Sequence, residues 1–425
     1  MSAQTIQNVG DDLKTSSVDQ DNQPIKVPKK KVSGKRIVLY VLLGLVICAI
    51  VTVLVLGCLV MIAWFSLGSV LWDMAFESQP GTDCFSGLRQ NRPWNYTLID
   101  VVDYCPEMSA SVDTSKLFGS YFLNKAWTSL VETVVFKSRD PDWVSSGKGN
   151  IYGTLILQPT INSTSKFVIV VHGIRSCRFT YAALEPATML YRSGYSLLLL
   201  DMRNHGDSDR YDSNPYGSFG LYEHLDVLGG LDYLIQRYPF LNTSSPQVGL
   251  YGTSMGASTV LISFAQEKRF QVVFADSPPC SVYATLFFGA KLIGGSDGMA
   301  AVAMASAASV MYVKGKMGFP PLQLDPELLM KSVDLSGKRR IFLFQTKDDY
   351  IVPDFNQGIC LDAARLAAQQ QNVSFDTKVQ YYMDEVTFPT GLVRSRSHCA
   401  NHLMSMFVNT TKYETLLTNF FTTSL

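Results

Sequence analysis

The dominant feature of the hydrophobic pattern is a run from Ile37 to Trp72 without one charged residue, built mostly of Val, Leu, Ile, Gly and Ala. About 20 apolar residues cross a bilayer, so this run predicts a transmembrane anchor with length to spare. A cleaved signal peptide would carry an apolar part of only about 7–15 residues behind a short charged leader. Residues 1–36 are polar and predict a disordered tail. Residues 73–130 are mixed, with Trp94, Tyr96 and Trp127, and read as a stalk leading into the main domain.

From about residue 131 the pattern alternates between strand and helix. "IYGTLIL" (151–157) alternates apolar and polar, whereas "KFVIVVHG" (166–173) and "YSLLLLD" (195–201) are continuous apolar runs, as expected of strands buried on both faces. "QVGLYG", "QVVFAD" (271–276), "RRIFLFQ" (339–345) and "TKVQYYM" extend the strand set. Between them, "YAALEPATMLYRSG" closes on Gly194, "EHLDVLGGLDYLIQRYP" (223–239) stops at Pro239, and a helix runs from Ser254 to about Gln266. "GICLDAARLAAQQQ" and "TKYETLLTNFF" supply two more helices. This order predicts an α/β domain over 131–425, with a mostly parallel central sheet and helices on both faces. Residues from about 279 to 335 break the rhythm: they hold no good strand, are rich in Met, Ala and Phe, and predict a helical lid over the sheet's active edge. Its stretch Met299–Val313 is too short and too rich in Ala and Ser for a second membrane span.

Charge adds orientation. Lys26, Lys29, Lys30, Lys31, Lys35 and Arg36 precede the anchor, while Asp73, Glu77 and Asp83 follow it before any basic residue. The positive-inside rule then predicts a single-pass type II protein, with its N-terminus cytoplasmic and residues after Trp72 extracellular or lumenal. N-x-S/T sequons at Asn95, Asn162, Asn242, Asn372 and Asn409 all lie on that outer side and fit a glycoprotein. So do six cysteines outside the run, Cys84, Cys105, Cys177, Cys280, Cys360 and Cys399, an even number where disulfides persist, with a pairing that spacing does not reveal. The chain has no C-x-x-C pair to suggest a zinc or thioredoxin-type site, and its net charge of zero gives no case for nucleic acid.

"GLYGTSMGAS" (249–258) places Ser254 between Gly252 and Gly256, after a buried strand and at the start of a helix. That context fits a strained nucleophile elbow, in which side chains at 252 and 256 would collide with neighbouring backbone. A serine hydroxyl needs a base, and the base a carboxylate. The chain order of such hydrolases, Ser then acid then His, leaves His398 and His402 out of five histidines. Asp348 and Asp349 lie in the loop after a buried strand, at the sheet edge where the elbow also sits.

Seven blocks in order, "VVHGIRS", "LLLDMRNHGDSD", "YEHLDVLGGLDYL", "GLYGTSMGAS", "VVFADSPP", "KDDYIVP" and "NHLMSMFVNTTKYETLLTNFF", resemble the α/β-hydrolase superfamily. The similarity is greatest to serine hydrolases of its dipeptidyl-peptidase/acyl-transferase-like branch, which has membrane-anchored members. The resemblance implies Ser254 as nucleophile, Asp349 (three residues before Val352) as acid, His402 as base, and an oxyanion hole from the N–H groups of Ile174 and Met255. It makes His172 and His205 parts of structural turns, and Asp201, Arg203 and Asp226 scaffold groups. Many relatives have a third glycine where Ala257 stands, and the region before 131 has no counterpart. The function implied is hydrolysis of an ester, thioester or amide through an acyl-enzyme, on a small-molecule, lipid-like or peptide substrate, with no metal or organic cofactor. The rival expectation is a catalytically silent ectodomain used for binding.

Overall fold

The computed structural model describes residues 34–76, 131–210, 217–243, 246–314, 325–386 and 401–425. Most of the expected stalk, with Trp94, Tyr96, Trp127, Asn95, Cys84 and Cys105, lies outside the described residues, as do His398 and Cys399. Helix α1 (Gly34–Phe76) covers the apolar run, and its segment Val41–Trp64 is long and apolar enough to cross a membrane. Its two cysteines, Cys48 and Cys58, are free.

The remainder is built on β1 (Val131–Lys137), β2 (Asn150–Ile156), β3 (Phe167–Val171), β4 (Ser196–Leu200), β5 (Val248–Thr253), β6 (Val272–Asp276), β7 (Arg340–Thr346) and β8 (Val379–Asp384). They form one eight-stranded sheet in the order β1-β2-β4-β3-β5-β6-β7-β8. β2 runs antiparallel to both of its neighbours and every other pairing is parallel. This is the mostly parallel α/β sheet that the hydrophobic pattern led us to expect, in keeping with the fold that the motif resemblance implies. The strand β1 was not resolved by the pattern, because Glu132 and Thr133 interrupt it on an edge with one exposed face.

Helices α2 (Pro141–Ser145), α3 (Tyr181–Arg192), α4 (Glu223–Arg237), α5 (Met255–Gln266), α6 (Val282–Gly294) and α7 (Asp297–Lys314) are followed by α8 (Pro326–Met330), α9 (Phe355–Gln370), α10 (Phe375–Lys378), α11 (Ser405–Val408) and α12 (Thr410–Ser424). The central strands are buried on both faces, which explains why they read as unbroken apolar runs. In β3, Phe167, Ile169 and Val171 join one core layer with residues of α4, α5 and α9, such as Leu231, Val260 and Ala364. Val168 and Val170 point the other way, into a layer with Leu184 and Leu190 of α3 and Leu417 and Phe420 of α12. Each such side chain contributes roughly 1.5–3 kcal/mol on burial, so a shift of register by one residue is strongly disfavoured.

Because β3 to β8 are parallel, their carboxyl ends open onto one edge. The segments beginning at His172, Asp201, Ser254, Ser277 and Lys347 all leave the sheet there. Between β6 and α8 the described residues form only the helices α6 and α7, with no strand. The base of this excursion is tied by a disulfide between Cys280, just after β6, and Cys360 in α9. Cys177 is also disulfide-bonded.

Candidate active site

Ser254 sits between β5 and α5 with φ 55° and ψ −125°, a left-handed region that a non-glycine residue enters only at a cost of about 1–3 kcal/mol. Three backbone bonds hold it there. Its N–H donates to the carbonyl of Asp276 on β6 (2.9 Å), and its own carbonyl accepts from Ala257 and Ser258 of α5 (2.9 and 3.2 Å). The flanking glycines are required by close approach. A Cβ on Gly256 would lie 2.3 Å from the His172 carbonyl oxygen, and one on Gly252 would lie 2.3 Å from the carbonyl oxygen of Gly256.

Gly173 brings the loop after β3 against the serine, since a Cβ there would stand 3.2 Å from Ser254 Cβ. The next residue is Ile174. Its side chain and that of Met255 lie side by side, both about 3 Å from where a Cβ on Gly217 would be. The N–H of Met255 is at the first position of α5, where the positive end of the helix dipole faces the edge.

On the opposite side of the edge, the loop after β7 carries Asp349. Its Oδ1 accepts the N–H groups of Ile351 and Val352 (2.9 Å each), which leaves Oδ2 for His402 Nδ1 at 2.7 Å and Gln345 Nε2 at 3.3 Å. His402 and Asp349 are both buried. Among the described residues neither Ser254 Oγ nor His402 Nε2 has a hydrogen-bond partner. An imidazole held at Nδ1 by a carboxylate, with Nε2 unengaged, is chemically equipped to accept a proton. Asp348 takes no part in this pairing: it has a φ of 55°, and its N–H donates to Asp354 at 3.3 Å.

Of the other described histidines, His172 and His205 have both ring nitrogens committed and His224 is half-buried on a helix. His172 Nε2 accepts the Met202 N–H (3.1 Å), so its proton is on Nδ1, which donates to the Gly173 carbonyl (2.7 Å). Burial, with His205 and Arg178 nearby, holds its pKa well below the ordinary histidine range. His205 repeats the pattern, accepting from the Arg175 N–H (3.2 Å) and donating to the Arg203 carbonyl (2.8 Å). His224, on α4, donates to the Gly220 carbonyl at 2.9 Å.

Asp201 binds the Arg178 guanidinium and accepts the N–H groups of Arg178 and Asp207 (2.8 and 2.9 Å). Arg203 pairs with Asp226 and Asp140 (2.8 Å each); burial works against its charge, but these carboxylates outweigh that cost and raise its pKa. These groups clamp the loops after β3 and β4 to each other and to the start of the domain.

Two features escaped the sequence reading. One is the Cys280–Cys360 pairing. The other is a fully buried cluster behind the serine, in which Asp276 accepts from Tyr413 (2.6 Å) and Ser277 (3.0 Å), and Tyr413 meets Tyr251 at 2.7 Å. Burial raises the Asp276 pKa to about 7. The available signal was an aspartate ending a buried strand at the same edge as Asp201.

No family model matches the chain, and no curated protein matches it. Among solved structures it is similar to an esterase from Pyrococcus furiosus, at 19% identity over 71% of this chain and 95% of that one, with a TM-score of 0.48. It is also similar to Pyrococcus horikoshii acylaminoacyl peptidase, at 16% identity over 69% of this chain and 42% of that one, with a TM-score of 0.45. A third is Est1E from Butyrivibrio proteoclasticus, solved with ferulic acid bound, at 13% identity over 67% of this chain and 98% of that one, with a TM-score of 0.43.

Proposed function

We propose that this protein is a membrane-anchored serine hydrolase that cleaves an acyl ester, thioester or amide through an acyl-enzyme. The observation that carries the reading is the 2.7 Å bond from His402 Nδ1 to Asp349, with Nε2 unengaged, at the same sheet edge as the strained Ser254. His402 Nε2 takes the Ser254 proton while Oγ attacks the substrate carbonyl, and Asp349 stabilises the imidazolium that forms. The N–H groups of Ile174 and Met255 receive the oxyanion, assisted by the N-terminus of α5. His402 then protonates the leaving group. Water, deprotonated by His402, attacks the acyl-enzyme and frees the acid and Ser254.

The acyl group we favour is apolar. Helix α7 carries no charged residue between Asp297 and Lys314, and α6 carries only Lys291. Tyr283, Leu292, Met299 and Val302 are exposed on these helices, and Tyr350, Ile351 and Phe355 are exposed beside Asp349. Phe288 of α6 meets Phe355 of α9 with ring centres 6.0 Å apart, so the two surfaces adjoin. We read α6 and α7 as a lid, and the span Val41–Trp64 as the anchor that leaves this domain extracellular or lumenal.

A fluorophosphonate probe tests the reading. It should label the wild-type chain and leave Ser254→Ala unlabelled, and a well-folded wild type that does not react would favour the binding-only alternative. Among substrates, p-nitrophenyl esters of rising acyl length should be cleaved faster than aminoacyl-coumarins; the reverse order would make the protein a peptidase.

A further inference from the structure

We infer that Asp276 is a positioning residue of this hydrolytic site, acting on the nucleophile through its backbone and on the His402–Asp349 pair through its side chain. The inference rests on the proposed role of Ser254. Asp276 ends β6, paired in register with Thr253 of β5 and Phe344 of β7, so it lies directly between the strand that delivers the serine and the strand that delivers Asp349. Its carbonyl accepts the Ser254 N–H at 2.9 Å and so helps to hold a backbone that would otherwise relax from its left-handed conformation.

The carboxyl points into the protein and is fully buried. Oδ2 accepts from the Tyr413 hydroxyl at 2.6 Å, and Oδ1 from the Ser277 hydroxyl at 3.0 Å. With its only proton given to Asp276, Tyr413 must accept from Tyr251, whose oxygen is 2.7 Å away. The titratable groups that face Asp276 are therefore Tyr251 of β5, Tyr413 of α12, Asp349 of the loop after β7, and His402 ahead of α11. None of these is an arginine or lysine. His402 and Asp349 act on the Asp276 charge with opposite sign.

An ionised Asp276 adds negative charge within electrostatic reach of an imidazole that must become positive as it takes the serine proton. Its ionisation, raised to about 7 by burial, places the change from neutral to anionic inside the working pH range. Tyr413 links this charge to α12, which begins at Thr410, eight residues after His402.

The experiment measures fluorophosphonate labelling rate against pH from about 5.5 to 9 in full-length protein, with Ser254→Ala as the blank. For Asp276→Asn, the ratio of wild-type to variant rate should be small below pH 6 and climb several-fold through about pH 7, because only the wild type gains the charge. A merely structural role would lower the rate by the same factor at every pH, and such a flat ratio overturns the inference. Tyr413→Phe removes the hydroxyl that favours the carboxylate, so the rise in the wild-type rate should move to higher pH. An unmoved profile there also overturns the inference, and that variant decides the matter if Asp276→Asn does not fold. Failure of the underlying hydrolase reading looks different: the wild type itself would not be labelled.

Discussion

Two neighbouring pairs of strands, β3 with β4 and β6 with β7, present buried carboxylates at the sheet edge in opposite ways, while Asp384 at the end of β8 pairs with Lys412 at 3.0 Å. On the side of β3 and β4, Asp201 is matched by Arg178, and Asp226 and Asp140 by Arg203, so each buried negative charge has a guanidinium against it. The histidines there, His172 and His205, have both ring nitrogens bonded to backbone. On the side of β6 and β7, Asp276 and Asp349 are held by hydroxyls, backbone N–H groups, the Gln345 amide and one imidazole, and Asp325, ahead of α8, by the backbone N–H of Val282, with no guanidinium or ammonium among these partners. On the first side each of these carboxylates is held against a guanidinium. The second sets no such counter-charge against Asp276 and Asp349, and a histidine whose Nδ1 is committed and whose Nε2 has no partner among the described residues distinguishes it.

The largest test of that contrast is Asp349→Asn. The amide can still accept from Ile351 and Val352, so the loop should fold, but it favours the wrong imidazole tautomer, and kcat/KM should fall by about 10⁴-fold with little change in Tm. A loss below tenfold would mean that His402 does not depend on this carboxylate. On the other side the effect should appear in stability instead. Arg178→Met leaves Asp201 buried and without its guanidinium, at a cost of about 3–5 kcal/mol in chemical denaturation. A cost under about 1 kcal/mol would show that the clamp is not held by charge.

The central strands and the mostly parallel sheet were legible in the sequence because unbroken apolar runs such as "FVIVV" and "SLLLL" are satisfied between two helical layers. Ser254 was legible for a related reason: glycines at 252 and 256 mark places where backbone approaches backbone, and such contacts leave a trace in residue type. Asp276 left no comparable trace. Its meaning comes from Tyr413, 137 positions further on, and nothing local tells a partnered buried carboxyl from a solvated one. The Cys280–Cys360 bond was hidden similarly, since a separation of 80 residues is one choice among several that the cysteine spacing permits. Orientation of the apolar helix belongs to charge flanks rather than to packing, and the pattern of lysines before Ile37 remains its basis.

The smallest expected effect sharpens the same contrast away from the reacting groups. Asp325 precedes α8, is buried, and accepts the Val282 N–H at 3.4 Å where α6 begins. Burial, with no cation among the described residues to offset it, raises its pKa to about 7 from an ordinary value of 3.8. The folded state therefore binds more protons than the unfolded state between these values, and the sign follows: the contribution of Asp325 to stability is fully present below about pH 4 and is lost as pH rises through about 7. Asp325→Asn cannot ionise, yet an asparagine still caps a helix, so the variant should gain on the wild type as pH rises. The difference in unfolding free energy should grow by on the order of 2 kcal/mol between pH 5 and pH 8. A difference that stays constant over that range would place a counter-charge beside Asp325, and the two sides of the edge would then be less distinct than their partners indicate.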